Sequence, residues 1–450
     1  MEDKSIKAPS KTRVRKHLNA DALFKSLYRD FEKIPDPRQG NPFISLPDIL
    51  MSGFAMFSLK DPSLLAFDER RNEGGNNLNT VYGIKEVPSD SRMREILDSI
   101  YPEHMRPCFN NIFSQLQRGK ALEPMVFMDG CYLLSLDGTG YFSSNKLHSE
   151  FCMKKVKSKT GEVGYYLQML GGAIVHPDFK EVIPLMPEII MKQDGQTKND
   201  CERNAAKRFF ENLRKDHPHL PLIIIEDALS SNAPHIKELR KHQLHFILGV
   251  KPGDHEFLFN YVESSAKKDL VSEFVYHDEK NPDTSHLFRF INGVPLNQSN
   301  QDVLVNYLEY REITEKRTRL FSWITDFTVT MDNAYQIMKG GRARWKIENE
   351  TFNTLKNQGY NFGHNYGLGQ KNLSMVFVML MMLAFLVDQT QQLCCALFRA
   401  VWKKNRSKRA LWERMRSMFH NFELESMEIL YRALLSGYIK RPPIILEDTS

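Results

Sequence analysis

The chain has 450 residues, 42% hydrophobic and 26% charged, which excludes a disordered polymer and leaves room for two or three domains. A formal charge of +6 and a pI near 8.8 permit a polyanionic partner without requiring one. Six cysteines (Cys108, Cys131, Cys152, Cys201, Cys394 and Cys395) form no CxxC pair, which argues against a disulfide framework and points to reduced thiols in a cytoplasmic protein.

Residues 1–20 are a polar basic arm carrying Lys4, Lys7, Lys11, Arg13, Arg15, Lys16 and His17, read as a solvated tail or a segment lying on DNA. With no apolar core at the start, no secretory signal is visible. Residues 21–122 are helical in pattern, for DNA binding or dimerisation. Separate helices are expected over 45–59, 62–71, 89–100 and 105–118, with Ser89 as a cap and a turn at IPDPRQGNP (34–42).

From residue 123 to 250 the period changes to that of an α/β unit. Met125 to Met128 and Tyr132 to Leu136 read as strands joined by Asp129-Gly130. Asp137 follows the second and precedes Gly138-Thr139-Gly140, which predicts a carboxylate at a strand end. Further strand character spans 163–175, and a helix is expected over 200–215. The apolar run Leu220 to Ile225 predicts a strand buried on both faces, closed by Glu226-Asp227. Neighbours on a strand face opposite sides, so only one of those two acids can point into a given site. Ser231 or Asn232 caps the next helix, and 244–250 is another buried strand. The C-terminal edge of such strands is where open α/β sheets bind ligands.

Residues 251–330 alternate and are rich in aromatic and β-branched side chains, predicting an inserted antiparallel sheet. Residues 331–370 hold a helix at 333–338, a Gly340-Gly341 break, a second helix GRARWKIENETFNTLK (341–356) and a glycine loop, YNFGHNYGLG. At about 100° per residue, Arg344, Trp345, Ile347, Glu348, Thr351, Phe352 and Leu355 share one face. Lys346, Asn349, Glu350 and Asn353 fall on the other. Glu348 therefore sits among apolar neighbours, either in an i,i+4 ion pair with Arg344 or as a metal-binding carboxylate, whereas Glu350 points to solvent. Residues 371–450 are helical, with long helices expected at 373–400 and 409–435. Met375 to Val387, apolar but short of the roughly 20 residues that cross a bilayer, reads as a buried core helix, not a membrane span. Lys403, Lys404, Arg406, Lys408, Arg409, Arg414 and Arg416 form the densest cationic cluster. His148 and Cys152, spaced by four, have no second pair to complete a zinc site. Trp323 reads as sheet core or as a base-stacking residue, and His364 has no assignable role.

Three blocks, LDGT (136–139), IIIEDALSS (223–231) and RWKIE with FNTLK (344–348 and 352–356), occur in this order around the β-rich segment. With these the chain resembles a DDE transposase of bacterial insertion sequences, in the branch with a tyrosine-arginine-glutamate-lysine signature and a β-rich insertion. Wider similarity, including IPDPR, PSLLAFD, CERNAAKRF and FILGVKPGDHEFL, extends from about residue 34 into the last third. The resemblance implies an α/β, ribonuclease H-like catalytic domain with an inserted antiparallel β subdomain, flanked by helical N- and C-terminal regions. It implies Asp137, Asp227 and Glu348 as ligands of two Mg²⁺, with Mn²⁺ able to substitute, that activate water or a 3′-hydroxyl for in-line attack on a phosphodiester. Arg344 would hold a transposon-end phosphate, and Lys356 and Lys346 would contact DNA.

The implied activity is cut-and-paste transposition by a homodimer on double-stranded DNA, acting on terminal inverted repeats and target DNA in the bacterial cytoplasm, at the nucleoid when active. The alternatives are a host-retained nuclease of the same fold and a catalytically dead DNA-binding relic in which the Arg344–Glu348 pair is structural. Two departures stand out: the signature tyrosine falls on Gly341, and Lys356 is one residue too far from Glu348. That slip leaves Glu350 as a competing third acid, as Glu226 competes with Asp227.

Overall fold

In the computed structural model the described residues are 18–436, apart from 74–75, 159, 193–200 and 279–283. The basic side chains of the N-terminal arm up to His17 lie outside them. The first helices are α1 (Ala20–Phe31), α2 (Leu46–Leu59), α3 (Leu64–Glu73), α4 (Asn77–Tyr82), α5 (Asp90–Leu97) and α6 (Arg106–Arg118). Their starts follow local chemistry: Asn19, Ser45 and Ser89 each accept a backbone N–H of the first turn, and Pro47 occupies a first-turn position where its missing donor costs nothing.

The middle of the chain supplies β1 (Tyr132–Ser144), β2 (Met153–Val156), β3 (Val163–Val175), β4 (Ile183–Pro184), β5 (Glu188–Ile190), α7 (Glu202–Asp216), β6 (Leu222–Glu226), α8 (Ala233–Lys241) and β7 (His245–Gly249). Then come α9 (Glu256–Ala266), β8 (Ser272–Tyr276), β9 (Ser285–Asn297), β10 (Asn300–Thr314), β11 (Arg317–Thr325) and α10 (Ala334–Arg342). All eleven strands belong to one mixed sheet, ordered β2-β3-β1-β6-β7-β11-β10-β9-β8, with β4 and β5 also pairing with β3. The pairs β1–β6 and β6–β7 are parallel, and the others are antiparallel. Every residue of β6 is buried, as its unbroken apolar run predicts.

Several sequence expectations are corrected here. Residues 125–128 form no strand; a single bridge, Val126 to Tyr132, precedes β1, and Asp129 and Gly130 take positive φ in the turn between them. β1 runs seven residues past Asp137, so this acid is within a strand and not at its end. The strands of the β-rich segment are antiparallel as expected, but they extend the same sheet, because β11 pairs with β7 through Trp323 to Thr325. The segment also contains α9.

Beyond α10 lie a π-helical turn (Ile347–Phe352), α11 (Asn353–Asn357), α12 (Leu373–Cys394), α13 (Ala396–Lys404), α14 (Lys408–Asn421) and α15 (Met427–Ser436). Each expected long helix is thus two, the first broken at Cys395 and the second at residues 422–426. α12 is long and apolar enough to cross a membrane by composition, yet it is wholly buried within the protein. It packs against α2, and Asp98 caps its start by accepting the backbone N–H groups of Gln370, Lys371, Asn372 and Leu373.

Candidate functional site

Asp137 and Asp227 are brought level by strand pairing. β1 and β6 run parallel as far as Ser135 opposite Ile225, and each aspartate lies two residues beyond that last pair. Asp137 stays paired to Gly171 of β3, while at Asp227 the chain leaves the sheet and turns into a short 3₁₀ segment. The Asp227 carboxylate caps this turn, accepting the Leu229 N–H at 3.0 Å.

The segment carrying Glu348 packs against β1 and β3. Phe352 packs onto Gly171, where a Cβ would come within 2.9 Å of its ring, so glycine opposite Asp137 lets this segment approach the sheet. Ser135 Oγ donates to the Arg344 carbonyl at 3.1 Å, pinning the chain where the helix breaks. Burial raises the Asp137 carboxyl to about 7, reinforced by the Glu348 carboxylate and opposed by Arg344 and the Gly138 N–H.

Local winding differs from the expected single helix. α10 runs straight through Gly340 and Gly341, and the break falls at Ala343 and Arg344. The next turn closes i→i+5 instead of i→i+4, so the 100° wheel loses phase. Trp345, expected to face the core, is 51% exposed, and the Arg344 guanidinium lies 4.4 Å from its ring centre. Glu350 and Lys346, expected in solvent, are half-buried, and Lys346 Nζ donates to the Phe179 carbonyl.

The π turn also bears on the spacing of Lys356. Eight residues of regular α-helix would rotate Lys356 about 80° from Glu348, whereas seven nearly restore the phase. One i→i+5 turn takes up one extra residue. Lys356 Nζ accordingly reaches Thr139 Oγ1 at 2.7 Å, two residues from Asp137. Deleting the exposed Asn349 is expected to convert the turn to regular α-helix with a stability change within about 1 kcal/mol, because a π turn is intrinsically the poorer helix. Deleting Met381 from the buried α12 is expected to abolish cooperative unfolding. Thermal melts of the two deletions compare them directly.

Gly341 has a steric reason. A Cβ there would lie 2.3 Å from Nε1 of Trp323, whose indole is 5% exposed and stacks with Phe321 at 5.9 Å. The space beside this position is filled from β11, which places Trp323 in the sheet core. Gly341→Tyr is expected to destabilise the fold by about 3 kcal/mol through overpacking, with much of the loss recovered in Gly341→Tyr/Trp323→Ala, as read by urea denaturation.

A carboxylate that pattern reading missed is Glu202, the first residue of α7. Its Oε1 lies where a Cβ on Gly138 would be, at 2.0 Å. Burial raises its pKa, helped by Asp227 and Glu226. The only sequence signal was position, an acid at a helix start. Asp137, Glu202, Glu226 and Asp227 share a cavity of about 530 Å³ with Leu229 and His235. Glu226 is engaged elsewhere: its Oε2 lies 2.6 Å from His235 Nε2, and Ser230 Oγ donates to its Oε1. Burial works against the His235 imidazolium, but Glu226 raises its pKa overall.

Glu348 does not line this cavity. Its Oε1 accepts Arg344 Nη1 at 2.7 Å, the i,i+4 pair that pattern alone predicts. The donor chemistry, hard carboxylate oxygens at a place where burial and then the Glu348 charge raise Asp137, suits a divalent cation. Among the described residues, however, no three His, Cys, Asp or Glu side chains are grouped closely enough to hold a metal ion as they stand.

The chain is similar to a piggyBac transposase in a synaptic complex with hairpin DNA, at 11% identity and a TM-score of 0.42, over 94% of this chain and 82% of that one. No protein-family model and no curated protein matches it.

The cationic cluster is partly spent on structure. Arg416 donates to the Leu59 and Lys60 carbonyls at the end of α2, Lys404 to the Leu434 and Leu435 carbonyls, and Arg414 to Asn405. Arg406, Lys408 and Arg409 line a cleft of about 410 Å³ that also includes Asn357, next to Lys356. His148 stacks on Tyr165 at 4.1 Å, and His364 packs edge-on against Tyr366.

Proposed function

We propose that the chain is a DDE-type transposase that cuts phosphodiesters at transposon ends and transfers the freed strands to target DNA, using a ribonuclease H-like core. The observation that carries this reading is the position of Asp137 on β1 level with Asp227 just past the end of the adjacent parallel β6, with the Glu348 carboxylate acting on Asp137 from a segment packed on β1. Asp137, Glu202 and Asp227 share one cavity in which burial raises the Asp137 and Glu202 carboxyls, a crowding that a counter-cation would relieve.

In this reading Asp137, Asp227 and Glu348 would hold Mg²⁺ or Mn²⁺, which supplies Lewis acidity and a nucleophile at neutral pH. Arg344 and Lys356 bind backbone phosphates, and the cleft at Arg406, Lys408 and Arg409 continues that path away from the acids. Lys346, tied to Phe179, contributes positive field beside the path. Glu226, tied to His235, and Glu350, on the far side of the π turn, serve as controls. Two DNA ends acted on together require at least a homodimer.

The Arg344–Glu348 ion pair is what favours a second reading, an inactive DNA-binding relic. A cleavage assay on the DNA flanking the gene separates the two. Mg²⁺-dependent cutting lost in Asp137→Ala, Asp227→Ala and Glu348→Ala, and retained in Glu350→Ala, is the expected result. DNA binding with no cutting by the wild-type protein would establish the relic, and cutting by Glu348→Ala would remove it from the site.

A further inference from the structure

The third acid and its arginine are in the wrong partnership for the chemistry proposed above. Arg344 donates to a Glu348 carboxylate oxygen at 2.7 Å, and its guanidinium lies 4.4 Å from the centre of the Trp345 ring. Arg344 is the more enclosed of the two, its side chain 13% exposed against 35% for Glu348. Its backbone is fixed by Ser135 next to the site, so the side chain can turn without the segment leaving β1. A carboxylate bound this way has spent its charge on a cation already present. This accounts for the lack of a closed ligand set among the described residues.

A phosphodiester offers the guanidinium a competing anion that it can grip through two N–H groups. We propose that Arg344 is a latch: it holds Glu348 in the free protein and releases it when a DNA phosphate takes the guanidinium, so that metal-ligand assembly waits for DNA. The proposal rests on the reading of Asp137, Asp227 and Glu348 as metal ligands. Since coupling of two binding events is reciprocal, metal must strengthen DNA binding by the same factor that DNA strengthens metal binding.

The test uses Fe²⁺ with ascorbate and peroxide, which cuts the polypeptide beside a bound iron and does not depend on DNA cleavage. Full-length protein is titrated with Fe²⁺ alone and with a mixed-sequence DNA duplex, and cuts are mapped around the three acids. The expected result is that the duplex lowers the Fe²⁺ needed for half-maximal cutting by about tenfold or more, equivalent to about 1.4 kcal/mol of coupling. Free Arg344→Gln should cut as readily as DNA-bound wild type and should not respond to the duplex. Equal cutting of wild-type protein with and without duplex would overturn the latch while leaving the metal site standing; that comparison needs no variant to fold. A duplex response that persists in folded Arg344→Gln would overturn it too. Cutting unchanged in Asp137→Asn and Glu348→Gln, or absent in every condition, would instead overturn the site on which the latch depends.

Discussion

Asp137→Asn is expected to lose Mg²⁺-dependent DNA cleavage by at least about 1000-fold, on the order of 4 kcal/mol of transition-state stabilisation, and at pH 8 to melt at a higher temperature than the wild-type protein. The second half follows from the raised pKa. Burial and Glu348 bring the folded-state carboxyl to about 7, against 3.8 ordinarily. The folded protein therefore holds this proton more tightly than the unfolded chain does. Its stabilising contribution is complete below the unfolded value and is lost as pH rises through about 7. Asparagine never ionises, so it avoids the cost of a buried charge at pH 8. Allowing for water at the cavity mouth, the gain is about 1–2 kcal/mol, shrinking toward zero only as pH falls below the ordinary carboxyl value of 3.8. An isosteric change that stabilises and inactivates together marks a group kept for chemistry and not for folding. A destabilised Asp137→Asn that still cuts DNA would mark the opposite.

Asp388→Ala is expected to cost about 3–5 kcal/mol, the largest stability loss among single substitutions outside the apolar core. Lys60 sits at the left-handed C-cap of α2 with φ 58°, its ammonium fully enclosed. It donates to Asp388 and to the Ser58 carbonyl, and it lies 4.0 Å from the Trp412 ring centre. The Tyr360 hydroxyl donates to the same carboxylate. This cluster joins α2, the glycine loop, α12 and α14. Removing the carboxylate alone leaves a buried ammonium without a counter-charge. Replacing both ions, as in Lys60→Met/Asp388→Leu, is expected to restore most of the loss, because an apolar pair of similar volume avoids both desolvation costs. Urea denaturation with fitted m-values reads both variants.

The two halves of the candidate site differ in how legible they were. Asp137 and Asp227 follow apolar runs that can only be strands, and the parallel β-α-β connection between β6 and β7 fixes which edge such acids occupy. The third acid lies on a segment whose winding is not regular. A 100° wheel assumes unbroken i→i+4 closure, so it placed Trp345 inside and Lys346 and Glu350 outside; the break at Ala343 and Arg344 displaces the first two, and the π turn that follows displaces Glu350. Glu202 was missed because it approaches the site only through the folding of α7 over Gly138, a contact between residues 64 positions apart, by subtraction of their numbers, with no shared motif.

By itself, the amino-acid order determined the alternation of helix and strand, the buried β6, the helix cap at Ser89, a second cap at either Ser231 or Asn232, and the three acid-bearing blocks. Each of these depends on neighbours within a few residues. Only the tertiary structure decided that the β-rich segment extends the main sheet, that Trp323 fills the space beside Gly341, that Lys356 reaches Thr139 across a π turn, and that Glu348 rests on Arg344. Those outcomes turn on which distant surfaces compete for the same space and the same charge, and local periodicity carries no record of either.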